Sequence, residues 1–311
     1  MSFRRWYVRR TLQLIPTLFG ITIISFVLVR LIPGDPAIIM LGHQYTPQLY
    51  QRARMELGLN YPIYVQYLFY LKLLITGNWG TSFVNSAPVF PLVLGRFVNT
   101  LSLTILAMLE ASVAGIALGI IAATHRGSKI DTMLTRYLGI AGMSFPVFWV
   151  ALLFILAFSV DLRLFPAVGG GGIQFIILPS LSLAVFAFGL ISRVTRSSLL
   201  DVMSEDYAIT AKAKGLKRGR ILLNHVLRNA WISIITITGL QFGALVGGAV
   251  ITETVFAYPG LGLLLVTAVE RRDYPVIQAS ILVAGIAIAL TNLLVDYLYA
   301  YVDPRVRYGS T

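Results

Sequence analysis

Few side chains in this sequence are equipped for covalent or acid–base chemistry, and their spacing sets the first limits on what the chain does. It has no cysteine and three histidines, His43, His125 and His225. Without thiols there is no disulfide, no thiolate nucleophile and no sulfur metal site. The imidazoles fall in three separate polar segments, so they predict no shared metal centre. Neither G-x-x-x-x-G-K-[ST] nor H-E-x-x-H occurs, and no histidine stands inside an apolar run where it would activate a serine. The expectation is a chain with no catalytic residue, no metal and no cofactor of its own. Three carboxylates remain in or beside long apolar stretches: Glu110, Glu253 and Asp296. A charge at membrane depth is costly and often functional, for example as a proton or ion site. Glu110 lies nearest mid-stretch and is the best candidate for a buried polar contact. Glu253 and Asp296 read as interfacial groups satisfied by a helix end or a basic neighbour.

Those carboxylates need elements to hold them, and the composition says which. The 311 residues are 57% hydrophobic and 12% charged, with mean hydropathy +0.79, which is the composition of an all-α integral membrane protein. Six apolar stretches are long enough to span: 12–32, 100–123, 137–160, 174–191, 231–256 and 275–301. The first follows MSFRRWYVRR and ends in Pro33-Gly34-Asp35-Pro36, so it is too long for a signal core, lacks a cleavage site and reads as a retained helix. Between the spans lie residues 1–11, 33–99, 124–136, 161–173, 192–230, 257–274 and 302–311. In the 33–99 segment Thr46-Pro47 and Tyr61-Pro62 predict short helices opening with proline at the first helical position, stopped at Gly58 and Gly77. Both are expected outside the membrane, and Pro88 opens a further short amphipathic run through Phe97. Four consecutive glycines from Gly169 predict an irregular loop.

Of the 25 lysines and arginines, 17 fall on the side of the N-terminus and eight on the other. That bias places both termini in the cytoplasm and accounts for the net charge of +12 without nucleic acid.

The longest polar interruption of the second half is cytoplasmic by this rule: Met203–Ala230, MSEDYAITAKAKGLKRGRILLNHVLRNA. Ser204 predicts an N-cap, Glu205 and Asp206 sign the first turn negatively, and Lys212 and Lys214 sign the last positively. This is a three-turn helix over 205–214. Ala208, Ala211 and Ala213 keep its flanks thin enough to enter a groove on another protein. Gly215 can turn the chain in the left-handed conformation. The basic amphipathic run after it leads straight into the fifth span, so a push on the first helix would move that span.

Within the spans, Gly115 and Gly119, and then Gly239, Gly243 and Gly247, recur at four-residue spacing, each set lining one helix face where backbones can approach. Static packing is one reading. A fifth span that slides is the other, with Gln241 and Thr238 lining a pathway beside it. After that span Tyr258, Pro259 and Gly260 make a sharp turn. The apolar run 261–269 is too short to span, and Asp273, Tyr274 and Pro275 open the last one, which suggests an outer hinge with a surface or re-entrant helix.

Taken together these residues resemble a known family. Tyr207-Ala208-Ile209-Thr210-Ala211-Lys212-Ala213-Lys214-Gly215-Leu216 is similar to the cytoplasmic EAA-type loop of permeases in ABC importers. Ile209 and Thr210 stand where Glu and Ala are usual, and Arg228 follows Leu227 where proline is usual. The likeness runs nearly end to end, including Gly80-Thr81-Ser82, Leu178-Pro179-Ser180, Gly239-Leu240-Gln241-Phe242-Gly243 and Arg272-Asp273-Tyr274-Pro275. It is closest to the first permease subunit of the dipeptide, oligopeptide, nickel and glutathione group.

The resemblance implies a type I importer fold in a bacterial plasma membrane and a multi-pass subunit working with four kinds of partner. These are a second homologous permease, two ABC ATPases that bind ATP and Mg, an external substrate-binding protein, and the lipid bilayer. It implies that Glu205, Asp206, Tyr207, Ala208, Thr210, Ala211, Lys212, Ala213 and Gly215 form the coupling helix and its turn. Short peptides are the expected substrates, with nickel chelates or glutathione as alternatives. From the residues alone, an ion-coupled transporter using Glu110, Glu253 or Asp296 also remains open. Gly239, Gln241, Gly243, Gly247 and Glu253 are the candidate pathway or gate residues of the permease.

Overall fold

The computed structural model of the protein describes residues 3–42, 45–134 and 144–302. Among the described residues the regular structure is helical apart from one isolated bridge, Thr81 to Pro88. In chain order the helices are α1 (Phe3–Leu31), α2 (Pro36–Leu41), α3 (Pro47–Glu56), α4 (Ile63–Ile75), α5 (Val89–Thr124), α6 (Lys129–Thr132) and α7 (Val147–Phe154). Then come α8 (Gln174–Met203), α9 (Asp206–Ala213), α10 (Arg218–Val255), α11 (Leu261–Glu270) and α12 (Tyr274–Val302). A π-helical stretch, Ile155–Asp161, continues α7, and another, Leu222–Val226, lies inside α10.

α1, α5, α8, α10 and α12 are long and apolar enough to cross a membrane. The third expected span, 137–160, begins outside the described residues, and its remainder is the apolar piece Val147–Asp161. The observed helices overrun the expected boundaries. α5 absorbs the run from Pro88 through Phe97 that reads as a separate helix. α8 continues twelve residues past 191 to Met203, and α10 starts at Arg218 rather than 231. With 38 residues α10 is about 57 Å long, well over the roughly 30 Å of a hydrocarbon core. Hydropathy marks where a helix leaves lipid, and the backbone ladder continues beyond that point.

Contacts divide the chain into two units. One comprises Arg10–Thr100 and Pro259–Ala289. Val29, Val89, Val93, Leu261, Tyr274 and Ile277 are buried at its core. Thr46 caps α3 through Leu49 N at 3.3 Å, with Pro47 at the first position as expected. In α4, by contrast, Pro62 is the N-cap and Ile63 the first helical residue. The sequence reading missed α2, which Asp35 caps through Ala37 N at 2.9 Å. The other oxygen of Asp35 accepts from Tyr50 at 2.8 Å and Arg54 at 3.2 Å, so one carboxylate ties α2 to α3. α4 lies on α1 through Tyr67–Thr22 and Tyr70–Ser25 hydroxyl pairs, both 2.8 Å.

The other unit comprises Met1–Arg9, Leu101–Tyr258 and Leu290–Thr311. Its core is Leu103, Leu178, Leu183, Ile191, Leu245 and Phe256. α5 meets α8 at two glycines. A Cβ on Gly115 would lie 3.0 Å from Phe188 O, and one on Gly119 would lie 2.6 Å from Thr195 Cβ and 2.8 Å from Ser192 O. In a bilayer, helix association comes from such close packing and not from hydrophobic exclusion of water. A second cluster of Ala123, Leu199, Val226, Ala230 and Ile234 joins α5, α8 and the start of α10. The glycine-rich loop is irregular, as expected, and Gly169 N donates to Phe256 O at 3.0 Å, closing over the end of α10.

Candidate functional site

The polar loop between α8 and α10 holds α9. Ser204 does not cap this helix. It belongs to the last turn of α8, its hydroxyl donating to Asp201 O at 2.6 Å, and extended Glu205 takes the N-cap place with no side-chain capping bond. α9 therefore has eight residues, about two turns, and is shorter than the expected 205–214. Its end is as the sequence implies. Gly215 has φ +75, Leu216 N donates to Ala211 O at 3.3 Å and Gly215 N to Lys212 O at 3.0 Å. These two bonds are a Schellman stop, which a left-handed glycine permits.

The helix faces differ from the expectation. Ala208 and Ala211 are buried in the chain itself, while Asp206, Thr210 and Ala213 are exposed at i, i+4 and i+7. The side available to another protein thus carries Asp206, Thr210 and Ala213, flanked by Glu205, Tyr207, Lys212 and Lys214. The side chain of Ile209 lies outside the described residues.

α9 is fastened to the start of α10. Asn229 Nδ2 donates to the Tyr207 hydroxyl at 2.8 Å and to His225 O at 3.0 Å. Between Ala213 and Arg218 there are four residues, Lys214–Lys217, and then α10 runs unbroken to Val255 through the π turn at Leu222–Val226. Single π turns inside helices are frequent at functional positions. A second polar link lies in the same unit. Arg196 of α8 donates to both oxygens of Asp131, at 2.6 and 2.7 Å, while Gly127 N donates to Asp131 Oδ2 at 3.0 Å.

Arg196, together with the Gly127 amide, holds the Asp131 carboxyl below the usual carboxylate range. A depressed acid stabilises the fold fully above its unfolded pKa of roughly 4, and the contribution is lost as pH falls through the lower folded value. Asp131→Ala leaves Arg196 without its carboxylate and is expected to cost about 1–3 kcal/mol. The measurement is thermal unfolding of the purified protein at neutral pH and in acid, where the gap between variant and wild type should narrow.

The glycine face of α10 divides. A Cβ on Gly239 would reach 2.7 Å from Val295 of α12 and one on Gly243 3.2 Å from Asn292 Oδ1, whereas Gly247 has nothing within 4 Å. Gln241 is buried on the opposite side of the helix from Gly239 and Gly243, and Thr238 spends its hydroxyl on Ile234 O at 2.7 Å. The structure therefore does not bring Gln241 and Thr238 to the glycine face. Glu110 makes the expected polar contact, accepting from buried Ser180 at 3.0 Å, and its second oxygen is buried as well. Glu253, read as interfacial, is instead fully buried, and Asp296 is partly buried.

At the outer turn the left-handed residue is Ala257, φ +46, and Gly260 is extended at φ −95. Tyr258 N donates to Glu253 O at 2.8 Å, again closing a Schellman stop. Pro259 O accepts from Asn99 Nδ2 at 2.8 Å and Arg96 at 3.2 Å, and Leu261 N donates to Thr100 Oγ1 at 2.8 Å. Buried Asp273, just before Tyr274 and Pro275 of α12, accepts from the Ser82 hydroxyl and, at 3.1 Å, from Phe83 N. The outer turn is thus bonded at both ends of α11, which sequence spacing did not disclose. Only Ser128, three residues before Asp131, left a sequence signal for any of these polar links, as a helix cap.

Among the described residues, five helices long and apolar enough to cross a membrane, with a short helix presented on the loop between two of them, define an integral membrane protein. The chain belongs to the family of binding-protein-dependent transport system inner membrane components, whose profile matches residues 115–308, with the family's N-terminal profile matching residues 3–104. The glutathione transport system permease protein GsiC of Escherichia coli K12 is 45% identical over 303 residues, 97% of this chain and 99% of that protein. GsiC of Shigella flexneri serotype 5b is 44% identical with the same coverage. Two solved structures share the fold. An inward-facing methionine ABC transporter, MetNI, aligns with TM-score 0.60 and 19% identity over 70% of this chain and 98% of its own. An amino acid ABC transporter solved with histidines aligns with TM-score 0.52 and 14% identity over 75% and 98%. The chain is a permease subunit of an ABC importer and resides in the inner membrane.

Proposed function

We propose that this subunit pairs with a second homologous permease to form half of a pathway for short peptides, and that α9 seats in a groove of one of two partner ATPases. The observation that carries the reading is the unbroken 38-residue α10, which begins four residues after α9 and traverses its unit. Approach of the ATPases on binding ATP displaces α9, and the Schellman stop at Gly215 with the Tyr207–Asn229 bond passes the displacement to α10. ATP and Mg stay on the partners. This chain supplies no cofactor and no catalytic group. An external binding protein delivers the substrate. Because the relatives at 45% and 44% identity are named as glutathione permeases, glutathione, itself a tripeptide, is the member of the class to assay first. Three histidines and no cysteine argue against direct nickel ligation by this chain.

The test is to tag the chain, extract it gently and identify what co-elutes. Recovery with a second permease and a pair of phosphate-loop ATPases, followed by ATP-dependent uptake of labelled glutathione that unlabelled dipeptides compete away, is the expected result. Recovery alone with uptake driven by an ion gradient would overturn the assembly. Uptake of glutathione that no dipeptide inhibits would overturn the broader peptide class.

A further inference from the structure

The unit formed by Arg10–Thr100 and Pro259–Ala289 lines a half-open cavity of about 470 Å³. α9 belongs to the other unit, and the coupling of α9 to α10 gives this cavity no role. α1, α4 and the start of α12 contribute to its wall, which is largely apolar but holds Arg30, Glu56 and Gln278.

Three features of this wall need an explanation. Arg30 donates to Phe26 O at 3.1 Å and Gln66 Oε1 at 2.8 Å, with its guanidinium 3.3 Å above the Phe26 ring. Among the described residues no carboxylate pairs with it. A guanidinium has five N–H donors, so some remain for an anion. Gln278 Nε2 is buried and has no hydrogen-bond partner among the described residues. A buried donor left in that state costs free energy unless something outside the chain accepts from it.

α4 itself is the third feature. It has no buried residue, and Tyr64, Leu68 and Ile75 are 66%, 61% and 86% exposed. Its tyrosines bond Thr22 and Ser25, nine and six residues before the end of α1, which is about 14 and 9 Å down the helix. Those positions lie within the α1 span, Trp6–Leu31. An apolar, outward-facing helix anchored at that depth faces lipid and not water.

We infer that the cavity holds the headgroup of a zwitterionic phospholipid. Its phosphate sits on Arg30 and its ammonium faces Glu56, and the acyl chains leave past Phe69 and Leu73. Those two residues line the cavity and are also 47% and 44% exposed on the flank of α4, so the cavity wall is continuous with a lipid-facing surface. The one cation and one anion match a phosphoethanolamine group in charge. The Gln278 amide supplies a further donor for its ester or phosphate oxygens. The site fixes α4 to α1 and α12 and makes the fastening of the outer segment depend on lipid headgroup chemistry.

The experiment uses the whole importer, purified in mild detergent and stripped of lipid by detergent exchange. Native mass spectrometry then follows binding of phosphatidylethanolamine to wild type, to Arg30→Gln and to Leu73→Trp, which blocks the exit without touching a charge. Each variant is expected to lose roughly tenfold or more in affinity at one site, as expected for removal of a charge-assisted hydrogen bond or of the exit for the chains. Diacylglycerol, which lacks the phosphate, should bind all three alike and weakly. Wild-type affinity in both variants would overturn the site. Chain-free glycerophosphoethanolamine binding as tightly as the lipid would show a pocket for a small solute instead. Displacement of the lipid by dialanine would show a peptide site. If Arg30→Gln fails to assemble, Leu73→Trp decides alone.

Discussion

Gly119→Leu is expected to destabilise the protein by about 3 kcal/mol or more, because the first atom of the new side chain already lies 2.6 Å from Thr195 Cβ and 2.8 Å from the Ser192 carbonyl oxygen. The second of these is backbone and cannot rotate aside, so α5 and α8 must part. Parting two helices in lipid forfeits their packing with nothing gained from solvent. Gly115→Leu should cost less, since its nearest atoms, at 2.9 and 3.0 Å, belong to the Ile191 side chain, though Phe188 O is also at 3.0 Å. Gly247→Leu, with nothing within 4 Å, should be close to neutral. Thermal unfolding of the three variants in the same detergent measures the order. Equal losses at positions 119 and 247 would show that spacing alone, and not the contact, sets the glycine requirement.

The same contrast shows what the sequence could disclose. Four-residue glycine spacing on α5 and α10 is visible in the chain, but which glycine meets a partner depends on where Thr195 and Val295 stand, and these come from elements 76 and 56 residues away in sequence. Apolar stretches were legible because lipid tolerates little else, and α11 was recognisable as too short to cross. Helix ends were not, because α8 and α10 continue into water on ordinary helix-forming residues. The burial of Glu253 was illegible for a similar reason. Distance from the end of an apolar run measures depth along one helix, whereas burial depends on what other elements pack against that position.

The docking helix was legible for a local reason and misread for a tertiary one. Acid at its start, lysine at its end and Gly215 after it are determined by neighbours within a turn, so its position survives to within a residue or two. Its outward face is set by what lies behind it. Ala208 and Ala211 looked like thin flanks for a partner, yet they are the thin side that lets α9 lie against its own chain, and the exposed row is Asp206, Thr210 and Ala213.

Gly215→Val is therefore expected to separate ATP hydrolysis from uptake without dismantling the membrane helices. At φ +75 a side chain with a branched Cβ is a backbone outlier, and the left-handed region costs an ordinary L-residue about 1–2 kcal/mol. The space around the glycine is open, so the penalty is torsional and cannot be relieved by shifting a neighbour. Relief comes from leaving the left-handed region, which breaks the bonds from Gly215 N to Lys212 O and Leu216 N to Ala211 O. α9 then keeps its exposed row but loses its fixed angle to α10, so a displacement of α9 is absorbed in the four-residue connection. In proteoliposomes with both ATPases and the binding protein, substrate moved per ATP should fall by roughly tenfold or more while hydrolysis persists. Gly215→Asn, which tolerates the left-handed region, should retain most of the transport. Loss of both activities in the valine variant would mean that α9 no longer docks, and wild-type transport would mean that α9 drives α10 by some route other than this turn.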